Sequence, residues 1–533
     1  MKYFPALIIF LCFCTTSCAQ KPNDIPETSM GQNANTLVIQ YTDQFLYGSN
    51  MAWFNNNWRD EDVADFLIGN PGRGWEGVGV NSLRPALYYD FVENWGYGIR
   101  IDAFKHYYER GAKNNVVFIG DRPSDEHREK RQYAPGLKSE SYENLYEPIW
   151  VDNEKGTVVN ENNYYALYVY NLVQRYKNYV KFWEIKNEPD FTYTSCGGKS
   201  PGEDCNWWTK DPLPSDLNNF RAPIQSYIRM LRVSYEVIKH LDPDAYVCVG
   251  GIGYASFLDA VLRNTDNPDN GKVTDRYPHT GGAWFDCLSF HIYPMYYLRR
   301  WGNGGFDFFR HTDAAIAAVE NQTNEHVDMM KKYGYGREYP AKEIIITETN
   351  IPSKQVGDWI GSIEAQRNYL VKLAVAAQRI GIIGIHVYGA ADDTERDDPN
   401  GNEYHYMGFY KPIPNTPAGT LRMNESGIAW RTASRILGGR KYDAAETARL
   451  NLPSGIDGGA FYSASARNYV YVLWAKTTKD MNEESSATYS FPASMNVVSM
   501  KRIGWNENET GINGNAITLG GSPVYIITNP TNF

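Results

Sequence analysis

The stretch Lys181-Phe-Trp-Glu-Ile-Lys-Asn-Glu-Pro-Asp-Phe191 decides the fold. Its first half, Phe182 to Lys186, reads as a short buried strand, rich in residues that fit a pleated surface. It ends on an amide, a carboxylate, a proline and a second carboxylate: Asn187, Glu188, Pro189 and Asp190. Proline cannot donate to a sheet ladder, so it helps end the strand where the Glu188 carboxylate leaves it. A buried strand that delivers a carboxylate at its C-terminal end is what a parallel barrel with an active site in its strand-end loops requires.

The rest of the chain agrees. Short apolar, β-branched runs recur near residues 45–53, 80–88, 114–121, 179–187, 245–252, 285–293, 343–349 and 382–389. Segments with helical spacing lie between them. One places Ala166, Val169, Val173 and Tyr176 on one face. Another starts at a Ser362 cap and stops at Gly381, and a third runs from Arg221 to Leu241 before Asp242-Pro243. Eight such alternations predict an α/β fold, a (β/α)8 TIM barrel over residues 37–437. The strands read as apolar on both faces, as helix-covered parallel strands do. No GxGxxG opens a helix after the first strand, which disfavours a dinucleotide fold.

After Gly438 the texture changes to short alternating strands such as NYVYVLWAK and PVYIITN, separated by turn residues. Residues 438–533 are therefore expected to form a C-terminal β-sandwich. The run LVIQY, from Leu37, either pairs with that domain or leads into the barrel.

Composition limits the partners. The 533 residues carry a formal net charge of −10, which repels polyanions and excludes nucleic acid as an expected partner. It also weighs mildly against a heavily sulfated polysaccharide, unless a local basic cleft overrides the average. The 40 Tyr and 14 Trp exceed what a core needs; exposed rings suit the apolar faces of sugars, although Tyr-rich packing gives the same count.

The N-terminus has the order of a secretory leader: Lys2, the apolar run ALIIFLCF, then small residues around TTSC. It resembles a bacterial lipoprotein signal over residues 1–18, with Cys18 as the acylated first residue and residues 19–36 as a flexible tether. Thr15 stands where such signals usually carry Leu, and an ordinary signal cleaved near Ala19 is the alternative. The implied location is the outer membrane of a bacterium, with membrane contact only through the lipid and the protein a monomer. Of the later cysteines, Cys248 and Cys287 read as buried thiols. Cys196 and Cys205 flank a Gly-rich loop and could form a local disulfide in an exported protein. No pair has zinc-site spacing.

A second carboxylate answers the first. Glu343-Ile-Ile-Ile-Thr-Glu-Thr-Asn350 places Glu348 at the end of the seventh strand, across the barrel mouth from Glu188. Glycoside hydrolysis needs two carboxyl groups, one to protonate the leaving oxygen and one to attack the anomeric carbon. WEIKNEPD together with ITETN resembles the catalytic pair of clan A glycoside hydrolases. That resemblance implies Glu188 as acid/base, Glu348 as nucleophile and Asn187 as a sugar-binding amide. It also implies a retaining mechanism, for which the carboxyls must lie roughly 5–5.5 Å apart rather than about 6.5–9.5 Å.

Three further motifs fall on the expected strands. SLRP puts Arg84 at the end of strand two, where it would lower the nucleophile's pKa. LSFHIYP puts His291 and Tyr293 at the end of strand six, beside the nucleophile. GIHVYG puts His386 and Tyr388 at the end of strand eight, where the clan usually carries a Trp platform; that Trp is absent. Glu184 reads as a barrel-interior ion pair and Asp190 as a loop group. Trp53 and Trp208 are candidates for lining the cleft, with core packing the alternative for each. The acidic loop Asp392–Tyr406 lacks EF-hand spacing and reads as a solvated wall of the cleft.

The sequence thus predicts an exported retaining β-glycosidase that needs no metal or organic cofactor and acts on an oligosaccharide or polysaccharide. An endo-acting glycanase on β-glucan, β-galactan or an algal galactan is favoured. An exo-acting β-glycosidase of the family 39 type and a non-catalytic surface glycan-binding protein are the alternatives. No GxSxG elbow supports an esterase.

Overall fold

A computed structural model describes residues 38–528, apart from 53, 55, 56, 153–157, 303, 496–499, 513 and 515. The expected leader and tether, and Trp53, lie outside the described residues. Eight strand positions build a parallel barrel: β1 Leu46–Asn50, β2 Ser82–Arg84 continued by Ala86–Leu87, β3 Asn115–Ile119, β4 Val180–Ile185, β5 Tyr246–Ile252, β6 Cys287–Ile292, β7 Glu343–Thr349 and β8 Gly384–Val387. Each falls inside, or within a residue of, the run that predicted it.

Pro85 divides β2, and the division closes the ring. The first half pairs with β1 and the second with β3, so nine hydrogen-bonded segments run from one side of the proline to the other. Proline offers no N–H to the ladder, and the residue before it is biased to an extended backbone. Both properties suit a switch of partners at this point. Arg84, immediately before the proline, is carried into the barrel mouth.

Helices cover the outside: α1 Asp60–Ile68, α2 Tyr89–Trp95, α3 Ile101–Arg110, α4 Tyr164–Tyr176, α5 Ile224–Leu241, α6 Ala255–Arg263, α7 Thr312–Lys332, α8 Ile363–Arg379 and α9 Glu425–Leu437. Local chemistry sets their ends. Asn163 caps α4 and Ser362 caps α8, each accepting a backbone N–H at 3.0 Å. Gly381 takes a left-handed φ of +82° just past α8. Helix α5 starts after Pro223, three residues later than the spacing suggested, and buries Ile224, Tyr227, Ile228 and Leu231 on one stripe.

The N-terminal run leads neither straight into β1 nor into the sandwich. Ile39 and Tyr41 pack on the small apolar cluster at the base of the barrel, Leu46, Val116, Phe182, Tyr246 and Ile345. Tyr41 N also donates to Glu343 at 2.7 Å. The segment plugs the end opposite the strand-end loops.

Beyond α9 lie β9 Lys441–Tyr442, β10 Ile456–Ser463, β11 Asn468–Ala475, β12 Ser486–Ser490, β13 Met500–Ile503, β14 Glu509–Gly511, β15 Ala516–Gly520 and β16 Val524–Thr528. They form a six-stranded antiparallel sheet, order β9-β10-β11-β16-β13-β14, and a β12–β15 pair. Alternation divides β11 between two cores. Tyr471 and Leu473 face the sandwich interior, whereas Val470, Val472 and Trp474 join the barrel's core.

A buried polar staple accompanies that second face. Lys372 of α8 donates to Thr312 at 2.7 Å and to Asp313 at 2.8 Å, and the Trp474 indole donates to Asp313 at 2.9 Å. The sandwich therefore braces the barrel wall. Among the described residues, no helix is long and apolar enough to cross a membrane.

Candidate active site

The opening stretch is a strained turn. Strand β4 ends at Ile185, and the next residues carry left-handed backbones: Lys186 at φ +68° and Glu188 at φ +47°. Each costs about 1–3 kcal/mol for a residue with a side chain and persists only when its surroundings over-determine it. They do so here. Buried Lys186 Nζ lies 3.1 Å from Asp121 Oδ1, and Asn187 N donates to the other Asp121 oxygen at 2.9 Å. Glu188 N donates to the Gly250 carbonyl at 2.8 Å. Asp190 Oδ2 accepts the N–H groups of Gly253 and Tyr254, both at 2.8 Å.

Gly250 permits the approach. A Cβ there would sit 2.2 Å from the Ile185 carbonyl oxygen. The strand thus stops earlier than Pro189 alone would require, and the turn that follows aims Glu188 into the mouth.

Glu348 is aimed by a different device. The register of β7 slips against β6 between Ile346 and Glu348, and against β8 between Ile346 and Thr349. Such bulges re-aim side chains at barrel rims. Thr347, inside the slip, donates its hydroxyl to Glu184 at 2.7 Å.

Arg84 ties these elements together. Its Nε donates to Glu184 at 2.7 Å and its Nη2 to Asn187 Oδ1 at 2.6 Å. Its Nη1 reaches Asn50 Oδ1 at 2.8 Å and Glu348 Oε1 at 2.6 Å. The guanidinium is fully buried, with its face 4.5 Å from the Phe118 ring centre. Arg84 therefore sits beneath Glu348 and Asn187 and positions them, and Glu184 is the interior ion-pair partner the sequence indicated. Asn187 has its side-chain oxygen committed to Arg84.

The second oxygen of Glu348 accepts the Tyr293 hydroxyl at 2.7 Å. Burial pushes the Glu348 carboxyl up. The charges of His291 and Arg84 and the hydrogen bonds from Tyr293 and Arg84 outweigh it and hold the group below the usual range. His291 Nδ1 lies 2.8 Å from Glu188 Oε1 and 3.7 Å from Glu348 Oε2. Burial lowers the His291 pKa, but the Glu348 charge and the Glu188 hydrogen bond outweigh it and the net shift is upward. Its Nε2 packs on Gly251, where a Cβ would come within 2.3 Å, so Nδ1 is the nitrogen that serves the carboxylates.

Glu188, His291 and Glu348 each present one ligand atom, all within 4.8 Å of one another. Among the described residues they are the group with metal-ligand spacing. The Arg84 guanidinium at 2.6 Å already compensates Glu348 from below and would repel a cation there.

One expected contact is corrected. His386 lies inside the barrel, below the mouth. It is fully buried, its Nε2 lies 2.8 Å from the Ser82 hydroxyl, and it fills the space left open by Gly48. Burial and the nearby Arg84 charge push its pKa down to about 3, so it is neutral and meets no sugar. Trp208 packs by the Cys196–Cys205 disulfide loop and donates its indole N–H to the Lys199 carbonyl at 2.9 Å. Nothing among the described residues joins it to the carboxylates.

Tyr388 does reach the mouth, with its ring edge-on to Tyr293 at 5.8 Å. Sequence reasoning missed its neighbour, Tyr404, from the acidic loop after β8. The Tyr404 ring stands 5.2 Å from Tyr293 and 5.9 Å from Tyr388, and its hydroxyl accepts from Tyr296 at 2.8 Å. These tyrosines stand beside Glu348, where the expected Trp is missing. Asn50, at the end of β1, was also missed; the polar pair Ser49 and Asn50 closing the strand was the available signal.

No model of a known protein family matches the sequence, and no curated protein matches it. Solved structures do match the fold. A glucosidase of Croceicoccus marinus is 13% identical with a TM-score of 0.50, covering 92% of this chain and 97% of its own. A conserved exported protein of Bacteroides fragilis is 13% identical at 0.50, covering 92% and 98%. A family 51 α-L-arabinofuranosidase of Bifidobacterium longum is 10% identical at 0.50, covering 93% and 98%. The chain shares their fold along nearly its whole length. At these identities the likeness is one of architecture: a parallel barrel joined to a β-sandwich.

Proposed function

We propose that this protein is a retaining glycoside hydrolase that cleaves β-linked oligosaccharides or polysaccharides, with endo action favoured. One observation carries the reading. A carboxylate oxygen of Glu188 and one of Glu348 lie within 4.8 Å, on opposite sides of one barrel mouth. That spacing is on the side of double displacement, for which the carboxyls stand roughly 5–5.5 Å apart, and well short of the separation that admits a water for inversion. Glucosidase and arabinofuranosidase chemistry on the same fold supports the reading by analogy.

In the first step the Glu188 carboxyl gives its proton to the glycosidic oxygen while a Glu348 oxygen attacks the anomeric carbon. The carbon–oxygen bond to the leaving sugar breaks and a glycosyl ester forms on Glu348. In the second step Glu188, now ionised, takes a proton from water. The water oxygen displaces Glu348 and restores both groups. Arg84 and Tyr293 keep Glu348 ionised and fixed before attack. His291, bonded to Glu188 and near Glu348, responds as charge moves between them. The Asn187 amide is placed to donate to a sugar hydroxyl. The same reading extends to export and a Cys18 lipid anchor, which rest on the leader sequence alone.

Incubation with a panel of β-linked glucans, galactans and xylans, with proton NMR of the first product, tests this. Release of the β-anomer is expected, with no release by Glu348→Ala. First release of the α-anomer would remove Glu348 as nucleophile. Binding without cleavage would favour a glycan-binding protein on a hydrolase fold.

A further inference from the structure

The cations of the barrel mouth fall into two groups. Arg84 and Lys186 are spent on Glu184, Glu348 and Asp121. The side chains of Arg122 and Arg299 make no hydrogen bond or ion pair among the described residues. Each guanidinium instead rests on aromatic rings.

Arg122 follows β3 and lies 3.9 Å from the Tyr88 ring centre. The Tyr88 ring stands 5.6 Å from the Phe118 ring, and Phe118 in turn packs 4.5 Å from the Arg84 guanidinium that holds Glu348, so the stack is joined to the carboxylates by two ring contacts. The acid next to it in sequence, Asp121, is taken by Lys186 and by Asn187 N. The backbone of Arg122 is strained, at φ +56°, and is pinned where Tyr89 N and Asp90 N bond the carbonyls of Asp121 and Arg122 at 3.1 Å. The fold holds an unpaired arginine there at a conformational cost.

Arg299 opens a hairpin, Arg299–Gly302 and Gly305–Phe308, that follows β6. Its guanidinium lies 4.8 Å from the Phe306 ring and 4.9 Å from the Trp359 ring, and its Nε is buried without a partner among the described residues. Nearby Arg310 is different, being paired with Asp480 at 2.6 Å. An aromatic track joins Arg299 to the catalytic pair: Trp359 is 4.9 Å from Tyr296, Tyr296 bonds Tyr404, and Tyr404 packs on Tyr293. At the outer end Trp301 stands 5.0 Å from Phe306 and is 47% exposed.

An arginine flat on a ring keeps its edge donors free, and those donors match a carboxylate or sulfate in a two-pronged bond. Resting on the hydrolase reading above, we infer that the glycan is anionic: Arg122 takes a carboxylate or sulfate on a sugar at the catalytic pair, and Arg299 takes another further along the chain. This local arrangement overrides the repulsion expected from the net charge of −10.

The test is native affinity electrophoresis of the full chain carrying Glu348→Gln, at physiological salt. The gels contain a neutral β-glucan, a glucuronoxylan (carboxylate) or a carrageenan (sulfate). Retardation by one or both anionic gels above the neutral one is expected, and the gel that retards identifies the anion. Arg122→Met and Arg299→Met should each weaken that retardation by about tenfold, the scale of one charge-assisted contact. Arg299→Lys should restore part of it, and unchanged melting temperatures show that the variants fold.

Equal retardation by the neutral gel, no retardation by any gel, or variants that run like the parent would each overturn the inference. Because Glu348→Gln removes turnover, the measurement does not depend on catalysis. Binding to an anionic gel with no cleavage by the native enzyme would sink the hydrolase reading and leave this one standing.

Discussion

Arg84 Nη1 lies 2.6 Å from Glu348 Oε1, and neither group is free to leave the other. The arginine is buried and also holds Glu184, Asn50 and Asn187, so it reports on folding and catalysis together. Arg84→Met leaves the buried Glu184 charge uncompensated. A loss of about 3–5 kcal/mol in unfolding free energy is expected, the range for breaking one partner of a buried pair. Urea denaturation measures it. Arg84→Met combined with Glu184→Gln should recover much of that stability but not the activity, because Glu348 remains without its cation.

Tyr293→Phe removes one hydrogen bond, at 2.7 Å, from the second Glu348 oxygen. That bond lowers the Glu348 pKa, so its loss raises it. As the proposed nucleophile, Glu348 acts only when ionised, and activity is lost as pH falls through its pKa. The acidic limb of the kcat/KM profile should therefore move to higher pH in the variant. A hydrogen bond to a charged group is worth about 1.5–3 kcal/mol, so kcat should fall roughly 10- to 150-fold. A profile whose acidic limb stays in place would mean that another group sets it.

Much of this site was legible in the sequence, for a physical reason. Parallel barrel strands are short, apolar and punctuated by helices, so their ends could be counted; the polar residues at those ends then stood out. Arg84, Glu188, Tyr293 and Glu348 were found in this way. Sequence pattern fixes which strand end a residue occupies but not its height along the barrel axis. His386 and Tyr388 share one motif, yet one is sealed under the mouth and the other lines it. The bulge that turns Glu348 inward leaves no periodic trace either. Tyr404 and Arg299 come from loops, where no period exists to read, and their roles appear only when rings from different loops meet.

Glu188→Ala separates the two chemical steps. A substrate with a poor leaving group, such as an oligosaccharide, needs the proton from Glu188 and should lose about 10²–10⁴ in kcat. A dinitrophenyl β-glycoside leaves without that proton, so formation of the glycosyl ester should survive, seen as a burst of dinitrophenol followed by slow turnover. Added azide, which attacks without a general base, should speed the slow phase and release a β-glycosyl azide. An azide product of α configuration would contradict two successive inversions at the anomeric carbon.

Asp190 carries a pH signature of its own. It is buried behind Glu188, and burial pushes its carboxyl up to about 7 despite the hydrogen bonds from Tyr254 N and Gly253 N. In the unfolded chain the same group titrates near 3.9. Between these values the folded state binds a proton that the unfolded state does not. The contribution of Asp190 is therefore fully present below about pH 4, declines as pH rises, and is lost above about 7. The limiting slope is about 1.4 kcal/mol per pH unit for a full proton. Asp190→Asn keeps an oxygen that can accept both N–H groups and carries no charge at any pH. The variant should thus match the parent near pH 4 and exceed it near pH 8 in unfolding free energy. Denaturation series at both values, with the difference between proteins as the readout, check this. A variant less stable at pH 8 would show that the Asp190 pKa is not raised in the folded protein and that its charge helps to hold the turn bearing Glu188.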